Sequence, residues 1–304
     1  MDYVQNPYFT DENVKKEQGI IGQEIMMYQD YPEWRVYINA LKCLYKNNPI
    51  KLDITGSIES ISKINKDILY SCYNTFYNPS NMALVVSGDF EPDLILNEIK
   101  KRLIEKQGQG IVQRIYPQEP NEINKKEITE HLEVNTPLFV IGIKDNNNIQ
   151  QNKVKKHIAI EIILNLLIGK SSDLYKRLYE QGLLLEPPSL DYELSKQYAH
   201  IMVSGGSSNP KQILNEFKKE IIKIIKSGID SEDLERIKKR IYGDYVKEFN
   251  NVDTISTMFL ADYFKGINSF EYLEEYENVN KEYVEQILKN IFIEQNIIIS
   301  IISK

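Results

Sequence analysis

The chain has 304 residues, 42% hydrophobic and 27% charged, which suits an ordinary soluble globular protein of two domains and excludes an intrinsically disordered one. Its formal net charge is −7 with Lys and Arg dispersed among Asp and Glu, so it offers no basic stripe to a nucleic acid and no polybasic patch to a membrane. Cys43 and Cys72 are its two cysteines, which excludes a disulfide framework and a four-cysteine metal site, and no apolar run reaches spanning length.

A reducing compartment is the default for such a chain, and the opening MDYVQNPYFT lacks the charged-then-apolar pattern of an export signal, so a cytoplasmic location is expected. Thr10, followed by Asp11 and Glu12, reads as an N-cap with acids in the first turn of a helix that runs to about Asp30. Within that helix, EQGIIGQE (17–24) places Glu17 and Glu24 two turns apart. At 100° per residue, Met27, Ile20, Glu24, Glu17, Tyr28, Ile21, Val14 and Ile25 share an arc about 160° wide with the acids in its middle. Lys15, Lys16, Gln18, Gln23, Gln29 and Asp30 take the other side. A carboxylate centred in a core-facing stripe loses solvation, which is tolerable only where a cation, a metal or several donors meet it. The helix is therefore expected to carry a site or a buried ion pair.

A second helix is expected from about Glu33 to Tyr45, then a loop over 49–56, then an amphipathic helix over DILYSCYNTFY (67–77) that stops at Asn78 and Pro79. MALVVSG (82–88) reads as a short buried strand, with a helix from about Pro92 to Lys106 behind it. Residues 107–127 read as an interdomain connector, with a boundary near 118. Beyond it, LFVIGIK (138–144) is strand-like and is followed by helices at about 152–168 and 171–181; DNNNIQQN (145–152) is a solvated loop. YAHIMVSGG (198–206) is again strand-like, helices follow at roughly 210–227, 231–250, 253–265 and 280–292, and NIIISIIS ends the chain as a strand.

The two halves end alike. Asn65-Lys66-Asp67 precedes Asn81 by sixteen positions and Asn280-Lys281-Glu282 precedes Asn296 by sixteen, each leading into an expected buried strand, which reads as a diverged duplication. Setting Val14 against Leu234 puts Ile237 at the place of Glu17 and Asp244 at the place of Glu24.

QNPYFTDENVKKEQGIIGQEI, KLDITGSIESI and DILYSCYNTFYNPSNMALVVSGD resemble the pitrilysin or insulinase-type zinc peptidases, relatives of mitochondrial processing peptidase, over nearly the whole chain and most specifically from Gln5 to Asp89. The strand-then-helix pattern by itself reads as α/β architecture, and the resemblance implies an α+β fold of two related domains, each an antiparallel-rich sheet with helices packed on one face. Residues 1–117 would be the C-terminal part of a first domain truncated at its N-terminus, and 118–304 a second, non-catalytic domain. In that family a His-x-x-Glu-His helix supplies two zinc-binding imidazoles and a glutamate general base, and a glutamate on a later helix is the third ligand. The resemblance implies that Glu24 is that metal ligand and Glu17 its outer companion, orienting a ligating imidazole.

The departure is that His131, His157 and His200 belong to no His-x-x-Glu-His string, and counting back from Glu24 sets that motif ahead of Met1. The implied activity is zinc metalloendopeptidase action on peptides or small proteins by metal-activated water, with this chain alone metal-free and inactive. The implied partner is a second family subunit closing a clam-shell dimer. The alternative from another class is a non-catalytic, family-derived subunit or scaffold that binds peptide beside an active partner. The family's substrate-gripping arginine and tyrosine are also missing: Tyr179 stands where the arginine is expected, and no tyrosine follows Gly182 at the usual place.

Four other patterns read as structural. His157 and Glu161, one turn apart, and His131 with Glu133, on one face of a presumed strand, each lack a third metal ligand in sequence. His200 in an apolar strand reads as a packed or hydrogen-bonded imidazole. Gly169-Lys170-Ser171 lacks the earlier glycine of a phosphate-binding loop, and Ser171 reads as the cap of the next helix.

Overall fold

A computed structural model describes residues 1–104, 112–146 and 150–304. The expected connector at 107–127 and the loop at 145–152 lie partly outside the described residues. In chain order, helices α1 (Asp2–Gln5), α2 (Asp11–Gln29), α3 (Pro32–Leu44), α4 (Ile58–Ser62), α5 (Lys66–Phe76) and α6 (Pro92–Arg102) precede strands β1 (Glu127–His131) and β2 (Leu138–Lys144). Helices α7 (Lys153–Ile168) and α8 (Asp173–Glu180) lead to strands β3 (Ser189–Leu194) and β4 (Ala199–Gly206). The chain then runs through α9 (Pro210–Ser227), α10 (Ser231–Glu248), α11 (Val252–Lys265), α12 (Glu271–Asn278) and α13 (Lys281–Ile291) into β5 (Ile297–Ser303). Among the described residues no helix is long and apolar enough to cross a membrane.

Two compact units divide the chain. One comprises Met1–Tyr28, Ile54–Ile115 and Asn251–Leu260, and the other Gln29–Asp53, Tyr116–Asn250 and Ala261–Lys304. Residues 29–53, which the sequence reading assigns to the first domain, thus belong to the unit that holds the sheet.

The sheet has the order β1-β5-β2-β4-β3, with β1 parallel to β5 and every other pair antiparallel. This is the expected α+β, antiparallel-rich architecture. Alternation sorts the central strands onto two faces. Phe139, Ile141 and Ile143 of β2 and Ile297, Ile299 and Ile301 of β5 join the large core with α7, α9 and α13. Val140, Met202, Ile298 and Ile302 point the other way and meet Leu41 and Leu44 of α3. Helix α3 therefore covers the second face of β5 and β2, where the sequence reading puts helices on one face only. Burial on both faces explains why β5 is nearly all isoleucine, each burial being worth about 1.5–3 kcal/mol.

The unit with α2 is helical among its described residues. Thr10 accepts from the Asn13 amide at 3.1 Å at the start of α2, as expected of a cap. Residues 82–88, read in sequence as a buried strand, form no strand, and Met82, Leu84 and Val86 are exposed. A β-branched apolar run marks readiness to pair, but a strand exists only where a neighbour supplies the ladder, and no described segment does so. The two caps of the internal repeat do agree. Asn65 accepts from the Ile68 amide and Asn280 from the Tyr283 amide, each at 3.0 Å.

Candidate functional site

Helix α2 buries Val14, Gly22 and Ile25. Half-buried Gln18 donates from Nε2 to the carbonyls of Ile61 (3.0 Å) and Ile64 (2.8 Å), closing the end of α4. Gly22 is buried on the same side, where a Cβ would meet Ile58 Cδ1 at 3.4 Å, in ordinary van der Waals contact. The inward arc therefore runs through 14, 18, 22 and 25, rotated roughly 100° from the stripe read in the sequence, at 3.6 residues per turn. Gln18 points in rather than out. Glu17, Ile20, Ile21, Glu24 and Met27 are exposed, so the core-facing placement of the two acids is corrected: they stand on an open helical face.

That face is unusual for a solvated one. Ile20 is 48% exposed and Met27 60%, flanking two carboxylates that have no hydrogen-bonded or ion-paired partner among the described residues. Nor do the described residues bring together three or more His, Cys, Asp or Glu side chains able to hold a metal ion.

Each histidine is already engaged. His131 Nδ1 lies 3.0 Å from the Lys304 carbonyl. His157 Nδ1 lies 2.7 Å from the Tyr272 hydroxyl, and burial pulls its pKa down to about 4. His200 Nδ1 lies 2.9 Å from the Tyr45 hydroxyl, and burial pulls it down to about 3, so it is the hydrogen-bonded core imidazole expected from its strand. Glu133 stands beyond the end of β1 with Lys304 at 3.9 Å, and Glu161 faces the seam between α7 and α10.

In the segment compared with a phosphate loop, Ser172 rather than Ser171 caps α8, accepting from the Tyr175 amide at 3.1 Å. Ser171 instead accepts from Arg236 Nη1 at 3.0 Å. Tyr179, at the position of the missing arginine, is 55% exposed.

Sequence reasoning missed a cleft of about 650 Å³ beside α3, lined among others by Glu33, Tyr37, Glu186, Asp191, Met202 and Ser204. Its walls come from four separate segments, so no single motif announces it. It also missed two buried ion pairs, Lys144 with Glu119 and Lys156 with Asp145, each at 2.6 Å. The lysine that ends the apolar run LFVIGIK was the available signal for the first.

A family model described as the Peptidase M16 inactive domain matches residues 63–241. The uncharacterised zinc protease YmfH of Bacillus subtilis (strain 168) is 33% identical over 293 residues, covering 95% of this chain and 68% of that protein. An uncharacterised zinc protease of Rickettsia felis is 26% identical over 242 residues, 79% of this chain and 57% of its own length. The crystal structure of a protein described as M16-like, from Alicyclobacillus acidocaldarius, matches with a TM-score of 0.93 at 29% identity, over 99% of this chain and 73% of that one.

Proposed function

The chain belongs to the M16 peptidase family, and on that premise we propose that it is part of a zinc-dependent endopeptidase to which it contributes one metal ligand, Glu24, with Glu17 beside it as an orienting group. The observation that carries this reading is the open face of α2, where two partnerless carboxylates stand among exposed Ile20, Ile21 and Met27. Carboxylates rimmed by large apolar side chains are the composition of a surface that another polypeptide segment covers. The zinc protease names of the relatives agree with it.

The donors among the described residues do not fit zinc by themselves, because a zinc site takes three or four protein ligands and this face offers carboxylates alone. The remaining ligands therefore come from polypeptide outside residues 1–304, and the chain on its own is inactive. Its substrate is a peptide or small protein, and a second family subunit completes the enclosing chamber. Two free cysteines, Cys43 buried and Cys72 exposed, support a cytoplasmic setting.

A second reading, a non-catalytic subunit that binds peptide beside an active partner, is favoured by the description of the matched domain as inactive. Metal analysis and peptide cleavage, measured on residues 1–304 alone and with a polypeptide carrying an M16-type His-x-x-Glu-His helix, separate the two. The enzyme reading expects neither zinc nor cleavage alone, both after mixing, and loss of both in Glu24→Gln. Tight stoichiometric zinc on the lone chain, or activity that survives Glu24→Gln, overturns it. Peptide binding without cleavage in every mixture supports the scaffold.

A further inference from the structure

Helices α10 and α12 both pack on α7, and the seam between them holds an acid that the proposed function leaves unused. Glu161 is half-buried at the middle of α7, one turn after His157 and one turn before Asn165. Among the described residues no donor reaches its carboxylate. Arg240 of α10 faces it but is engaged elsewhere: its Nη2 donates to Asn165 Oδ1 at 2.6 Å and its Nη1 lies 3.4 Å from Asp244 Oδ2. From α10, then, Glu161 meets one cation, Arg240, and one carboxylate, Asp244. From α12 it meets the phenols of Tyr272 and Tyr276, and on its own helix His157, which is bonded to the Tyr272 hydroxyl.

We propose that Glu161 is a proton-operated latch between α7 and the α10 and α12 helices. Protonated, it sits neutral in the seam while Arg240 bridges Asn165 and Asp244. Ionised, it cannot stay half-buried without a donor, so it draws Arg240 off Asn165 and loosens the seat of α10 and α12 on α7. Arg240 is the two-position element, because one guanidinium serves either Asn165 or Glu161. Burial pushes the Glu161 carboxyl up to about 7, with Arg240 pulling the other way and Asp244 adding to the rise, so the latch turns near neutrality.

The test uses residues 1–304 and two readings taken from about pH 5.5 to about pH 8.5: the carboxyl carbon shift of Glu161 by NMR, and amide hydrogen exchange of α10 and α12 corrected for intrinsic chemistry. The expected result is a midpoint near 7 and exchange in both helices that rises about tenfold, roughly 1.4 kcal/mol of opening, across that midpoint. Glu161→Gln should hold exchange at its low-pH level throughout. Asp244→Asn, at an exposed position, should lower the midpoint by removing a like charge, and Arg240→Gln should raise it. A midpoint in the ordinary carboxylate range, a pH-dependent exchange that persists in Glu161→Gln, or a midpoint unmoved by Asp244→Asn each overturns the proposal.

Discussion

Gly142 in the middle of β2 has no room for even one more carbon: a Cβ there would lie 2.9 Å from Ile298 Cδ1 and 3.2 Å from Leu44 Cδ1, both in a closed core. Gly142→Ala is expected to cost about 1–3 kcal/mol, read as a lower urea midpoint at unchanged slope. The titrating residues set opposing trends. His157 and His200 have folded pKa values near 4 and 3, below the ordinary 6.5, so the folded state binds fewer protons than the unfolded chain. Their contribution is fully present above about 6.5 and is lost as pH falls toward those values. Glu161, raised from 4.5 to about 7, works the other way: its contribution is present below 4.5 and is lost as pH rises through about 7. Stability measured by denaturant should therefore fall on acidification below about pH 6.5, and His200→Gln should flatten that fall; an unchanged slope would count against the buried neutral imidazole. The sequence placed His200 correctly because an imidazole in an apolar strand has few alternatives. It misplaced Glu17 and Glu24 because only the positions of Gly22 and Gln18 against Ile58 and Ile61 decide which arc of α2 turns inward.

At the scale of elements, Asn65 and Asn280 fix the starts of α5 and α13 by the same bond, and replacing either with Ala should cost about 1 kcal/mol in unfolding measurements. Lys156 of α7 is bound to Asp145 at the end of β2, both nearly sealed from water, and the Tyr192 hydroxyl donates to the same carboxylate at 2.7 Å. Lys156→Met strands that charge and should cost about 3–5 kcal/mol, while a second change, Asp145→Leu, should recover a large part of it. No recovery in the double variant would mean that packing, not charge, is what Lys156 supplies. Legibility followed the same physics. Strands β2, β4 and β5 were readable as apolar runs because both of their faces are buried. SLDYEL of β3 was missed because it is an edge strand and alternates acids with apolar residues, and EYLEEYEN of α12 because its acids hide Tyr272 and Tyr276, the residues that it buries.

For the molecule as a whole, the exposed isoleucines and methionine around Glu17 and Glu24, with Leu84 and Val86 of the unpaired run, are apolar surface left in water. Residues 1–304 should therefore self-associate with rising concentration in sedimentation experiments, and Ile20→Ser with Met27→Ser should weaken that association. A monodisperse monomer across the range would contradict it. Local pattern determined most of the long helices, the apolar runs of β2, β4 and β5, and the family resemblance, because periodicity and capping are written within a few turns of chain. Only the tertiary structure decided that α3 covers the sheet, that 82–88 finds no strand partner among the described residues, and that α2 turns its acids outward. Burial of a given face depends on what packs against it, and those neighbours lie dozens of residues away in the chain, beyond the reach of any periodicity.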